Sequence, residues 1–104
     1  MQRIAFVMRM REGQEAEYRR RHAAVWPEML DELRAAGARN YSIFARGDDL
    51  FGYLEVEDFE RFRDHMAASA INDEWQRDME PLIDPLTDPA TGFHEQLLEV
   101  FHLD

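Results

Sequence analysis

A chain of 104 residues has room for one domain, residues 1–104, around one core, and its 45% hydrophobic and 33% charged content is ordinary for a globular protein. Twenty-two acidic against twelve basic residues leave a formal charge of −10, which repels nucleic acid and anionic lipid and argues against both as partners. Cysteine is absent, no apolar run approaches the ~18 residues of a membrane span, and Arg9 and Arg11 close the N-terminal apolar run too soon for an export signal, so the expected location is cytoplasmic.

Residues 2–10 read as a strand, with Ile4, Phe6, Met8 and Met10 on one face and Ala5 and Val7 on the other. Glu12-Gly13 is a turn, after which a helix runs from about residue 13 or 14 through Ala16, Tyr18 and His22. Pro27 disfavours a helical Trp26 but suits the first turn of a new helix, so a break is expected between 23 and 27. The second helix, Pro27 to Ala36, turns Met29, Leu30 and Leu33 inward and stops at Gly37. Residues 39–46 and 50–57 form a hairpin about Arg46-Gly47-Asp48-Asp49. Asp58 caps a helix carrying Phe59, Phe62 and Met66, and a short helix over 70–80 carries Ile71, Trp75 and Met79 until Pro81 ends it. Residues 81–92 are expected to be loop, and Gln96–Leu103 a final strand. The order β-α-β-β-α-(α)-β is α+β, a ferredoxin-like antiparallel sheet with helices on one face. Its uncovered face is apolar enough to predict a homodimer packed sheet on sheet, with the C-terminal strand reaching outward to the partner.

The chemical inventory is sparse. His22, His65, His94 and His102 show no metal-ligand spacing, no nucleophile motif is present, and the five glycines form no phosphate-cradling loop. His65, His94 and His102 are read as surface or interface residues. What stands out is Tyr18, His22 and Trp26, spaced by four on one helical face. Aromatic residues at this spacing commonly serve a core and a lone histidine is commonly structural. The functional alternative is a positioned imidazole, with an ordinary pKa of about 6.5, that gives and takes protons without a cofactor. Opening and reclosing a sugar ring at its anomeric carbon is one reaction that needs nothing more. Trp26, placed before Pro27, reads as an anchor or pocket floor.

The segments Arg3-x-Ala5-Phe6-Val7-Met8, Tyr18-x-Arg20-Arg21-His22-x-x-x-Trp26-Pro27-Glu28 and Gly37-Ala38-x-Asn40-Tyr41-Ser42-Ile43 resemble the L-rhamnose mutarotase family. Leu50–Glu55, Trp75-x-x-x-Met79 and Glu99-Val100-Phe101-x-Leu103 continue the resemblance, colinearly, over nearly the whole chain. It implies a cofactor-free dimeric α/β-barrel that interconverts the α and β anomers of L-rhamnose. It also implies that His22 is the proton donor and that Tyr18, Tyr41 and Trp75 bind the sugar. The family pattern has a Trp-Trp pair where this chain has Glu74-Trp75, which keeps L-fucose open as an alternative substrate. Two readings from other classes stand beside it: a non-catalytic dimeric module, and a cofactor-free monooxygenase on the same scaffold.

Overall fold

Alternation along the first strand sets the layers. In the computed structural model, which describes residues 1–104, β1 (Gln2–Met10) buries Phe6, Met8 and Met10 and leaves Ala5 and Val7 half-exposed. Two helices follow, α1 (Glu15–His22) and α2 (Pro27–Ala35), then the hairpin strands β2 (Arg39–Arg46) and β3 (Asp49–Val56). Helices α3 (Phe59–Ala67) and α4 (Ala70–Met79) precede four two-residue strands: β4 (Ile83–Asp84), β5 (Thr87–Asp88), β6 (Phe93–His94) and β7 (Gln96–Leu97).

β3 pairs antiparallel with β1 from Val56 opposite Gln2 to Asp49 opposite Arg9, and turns Leu50, Leu54 and Val56 to the same side as Phe6 and Met8. The order β2-β3-β1-β4 places β3 between β1 and β2, the split arrangement of a ferredoxin-like sheet. Met29, Phe62, Met66, Trp75 and Met79 from the helices complete one core over that face. Gly52 is required there. A β-carbon on it would lie 2.2 Å from the Phe6 ring, which crosses directly over β3.

The helix boundaries follow local chemistry. Trp26 is extended, with φ −55° and ψ 133°, and Pro27 opens α2, so α1 and α2 are separated at the expected break. Gly37, at φ +101°, ends α2 in a Schellman turn: its N–H donates to the Arg34 carbonyl, and the Ala38 N–H to Leu33, both at 3.0 Å. Asp58 and Ser69 accept from the Arg61 and Asn72 amides at the starts of α3 and α4. Gly47, at φ +59°, turns the hairpin. No helix is long and apolar enough to cross a membrane.

Two expectations are corrected. Residues 81–92 are not all loop: Leu82 and Ile83 are buried, and β4 pairs Ile83 with Met10 and Asp84 with Arg9. The final strand does not extend over 96–103, because only Gln96 and Leu97 pair, with Phe6 and Ala5. β4 and β7 share the one edge of β1 that β3 leaves free, and after Leu97 the tail pairs no further although Gln2–Ile4 continue that edge. Leu98, Val100, Phe101 and Leu103 are exposed, and Arg3 holds Glu99 through two hydrogen bonds of 2.8 and 3.1 Å. On the sheet face away from the helices, Ala5, Val7, Phe51 and Tyr53 sit beside Phe44, which is 64% exposed.

Candidate active site

Helical spacing in α1 brings two rings into contact. Tyr18 and His22 stack with centroids 4.0 Å apart and planes 25° from parallel. The His22 Nδ1 lies 3.0 Å from the Tyr18 carbonyl oxygen. A carbonyl only accepts, so Nδ1 carries the proton of that bond and Nε2 of the neutral ring holds the free lone pair. Burial lowers the His22 pKa, with the Tyr18 carbonyl acting weakly in the opposite direction. Trp75 of α4 meets the His22 ring edge-on at 5.5 Å, and Trp26 meets Trp75 at 5.0 Å and 90°. Trp26 is therefore an anchor behind Trp75.

Arg21 locks these helices together. Its guanidinium donates to Glu17 within α1 and to the Asp78 carbonyl at the end of α4, each at 2.8 Å, and pairs with the Asp78 carboxylate at the same distance. Arg20 and then Arg21 draw the Glu17 pKa down to about 2. The arginine run of α1 thus registers the His22 helix against the Trp75 helix.

A cavity of about 890 Å³ opens between the helices and the sheet, lined by His22, Tyr41, Trp75 and His94 among mainly apolar neighbours. That size and character suit a small organic ligand. Tyr41 reaches it through a bulge that the sequence did not announce. Between Arg39 and Ser42 the register against β3 shifts, Asn40 adopts φ +50°, and its amide donates to Glu55 at 2.6 Å. The bulge sets the Tyr41 ring edge-on to Phe6 at 6.0 Å. A bulge that re-aims a side chain beside a site is a recurrent device. Burial pushes the Tyr41 pKa up, although 36% of the residue remains exposed. Burial likewise pushes Tyr18 up to about 12. Tyr18 backs His22 and does not itself line the cavity.

His94 overturns its sequence assignment. His65, beside Glu32, and His102, beside Glu99 and Asp104, do lie at the surface. His94 instead faces the cavity from β6, stacked on Phe6 at 5.0 Å with its Nδ1 2.6 Å from the Pro85 carbonyl oxygen. Its pKa is lowered by burial, partly offset by that carbonyl. Leu86, next to Pro85, sits at φ +47°, a strained setting for a leucine, held by its amide on Asp84 and its carbonyl under the Glu95 amide. No spacing rule links residues 85 and 94, so only the fold reveals this histidine. Glu74 is exposed on α4 and lies outside the cavity lining.

No side-chain nitrogen or oxygen is sealed in the interior without a hydrogen-bond partner. The Nε2 atoms of His22 and His94, the hydroxyl of Tyr18 and the indole N–H of Trp75 bond to no protein group and so keep accessible surface, and the Tyr41 hydroxyl likewise has no protein partner. Four of these atoms, on the cavity-lining His22, Tyr41, Trp75 and His94, suit a ligand with several hydroxyls and an apolar side. Fold and site together define a small α+β protein with two imidazoles on a cavity of ligand size.

The family model for L-rhamnose mutarotase matches residues 3–103. L-rhamnose mutarotases of Oceanobacillus iheyensis and Opitutus terrae are 41% and 44% identical to this chain, each match covering 100% of both sequences. The crystal structure of L-rhamnose mutarotase from Formosa agariphila superposes with a TM-score of 0.81 at 28% identity, over 100% of both chains. The chain belongs to the L-rhamnose mutarotase family. It is an isomerase of the kind that interconverts anomers.

Proposed function

We propose that this protein interconverts the α and β anomers of L-rhamnose, with His22 as the proton-transfer residue, Tyr41 and Trp75 on the cavity wall as sugar-binding residues, and Tyr18 contributing its unpaired hydroxyl from behind His22. The observation that carries this reading is the His22 ring on the cavity wall, its Nδ1 committed to the Tyr18 carbonyl and its Nε2 free. Ring opening delivers a proton to the ring oxygen and removes one from the anomeric hydroxyl as the C1–O5 bond breaks. Rotation about C1–C2 and closure on the other carbonyl face return both protons. The neutral His22 Nε2 takes the anomeric hydroxyl proton, and the imidazolium so formed delivers it to the ring oxygen as the C1–O5 bond breaks; closure runs the same transfer in reverse. Nothing is oxidised and no group is transferred, so the step asks only for proton carriers. Trp75 and the apolar wall suit the C–H face and methyl group of a 6-deoxy sugar.

The working unit in this reading is a cytoplasmic homodimer. The sheet face bearing Val7, Phe44 and Phe51, together with the apolar tail after Leu97, is the surface a second copy would cover. A monomer mass in light scattering would remove that part of the reading.

Saturation-transfer NMR of anomeric exchange, with L-rhamnose, L-fucose and a control hexose, tests the activity. Acceleration greatest for L-rhamnose is expected. Acceleration greatest for L-fucose moves the substrate, and exchange at the spontaneous rate for every sugar ends the enzyme reading.

A further inference from the structure

Proton transfer at His22 leaves a second imidazole in the same cavity without a role. His94 is set on it by three independent contacts. The Pro85 carbonyl receives Nδ1–H at 2.6 Å, Phe6 stacks on the ring at 5.0 Å, and Phe93 meets it edge-on at 4.8 Å. The first contact settles the tautomer. With the proton on Nδ1, Nε2 is an acceptor, and it finds no donor in the protein although it is not sealed from the cavity. The strand that holds it is fixed too: β6 pairs with β5, His94 opposite Thr87 and Phe93 opposite Asp88. A ring so constrained loses little rotamer freedom when it takes a partner.

Tyr41, Asn72 and Asp64 also line the cavity and can accept, beside groups that only donate. The Trp75 indole only donates, and so does Arg63, which also lines the cavity. A sugar hydroxyl that accepts from one of these has its own proton still to place. An immobile nitrogen lone pair is a good acceptor for it.

We propose that His94 is a substrate-binding residue whose Nε2 accepts a hydrogen bond from a hydroxyl of the bound sugar, from an element separate from the one that carries His22. The proposal rests on the sugar-cavity reading above and adds a contact to it. Burial keeps the imidazole neutral, and therefore an acceptor, at neutral pH.

His94→Phe preserves an aromatic ring over Phe6 and removes both nitrogens, while His94→Gln restores an acceptor. With L-rhamnose, the Phe variant is expected to raise KM about tenfold with kcat within a factor of about two, and Gln to recover part of the loss. In wild-type protein, the ¹⁵N resonance of His94 Nε2 is expected to shift on saturation with L-rhamnose. This measurement needs no variant to fold. An unmoved His94 Nε2 resonance, or a KM unchanged in folded His94→Phe, overturns the proposal while leaving wild-type catalysis intact. Absence of wild-type anomeric exchange with every sugar overturns both this contact and the function on which it rests.

Discussion

The two imidazoles of the cavity are held by the same bond in regions of opposite construction. On α1, the His22 Nδ1 meets a carbonyl four residues back in its own helix, and the ring stacks on a side chain at the same spacing. On the 82–94 segment, the His94 Nδ1 meets a carbonyl nine residues back, across a hairpin of two-residue strands and a leucine at positive φ. The first wall is a product of helical periodicity, reinforced by Arg21 between Glu17 and Asp78. The second exists only because β4 pairs with the end of β1 and Phe6 offers a ring to rest on. Local repetition makes a wall that tolerates change elsewhere; long-range support makes one that depends on distant packing.

The strongest separation of the two walls comes from His22→Ala. The anomeric exchange rate measured by saturation-transfer NMR is expected to fall by about 10²–10⁴-fold, the usual weight of one acid–base group. Retained activity would strip the α1 wall of its assigned chemistry.

Gly52→Ala strikes the second wall from a distance. The new methyl drives into the Phe6 ring beneath His94 and Phe93, with no space to receive it. A loss of about 1–3 kcal/mol in urea denaturation is expected. An unchanged midpoint would mean that Phe6 repacks freely and the support is not rigid.

Acid sharpens the comparison next. Both His22 and His94 have folded pKa values below the ordinary value near 6.5. Between the folded and unfolded values the unfolded chain binds more protons, so stability rises with pH there and is lost as pH falls below about 6.5. Glu17, drawn down to about 2, acts in a separate and more acidic window. The urea midpoint is expected to drop on acidification through this range. His22→Phe and His94→Phe should each reduce the slope, and a slope that neither alters would deny both histidines a buried neutral state.

Glu74→Ala should do least. Glu74 is exposed on α4 outside the cavity, so stability within about 0.5 kcal/mol of wild type and unchanged exchange kinetics are expected. A change in the rhamnose-to-fucose rate ratio would bring this carboxylate to the sugar, a role the sequence left open.

Helical and strand periodicity, capping chemistry and glycine turns were enough to place β1, the break before Pro27, the β2–β3 hairpin and the caps of α3 and α4, because each depends on residues a few positions apart. The same locality makes Tyr18 and His22 neighbours on any α-helix that contains them both. What the tertiary structure alone decided is non-local. It brought Ile83 to the edge of β1, turned Tyr41 through the bulge at Asn40, and placed His94, expected at the surface or an interface, on the cavity wall. It also left the chain after Leu97 unpaired and exposed. Two-residue strands have no periodicity to read, and a hydrogen bond to a backbone carbonyl leaves no trace in the identity of the residue that supplies it.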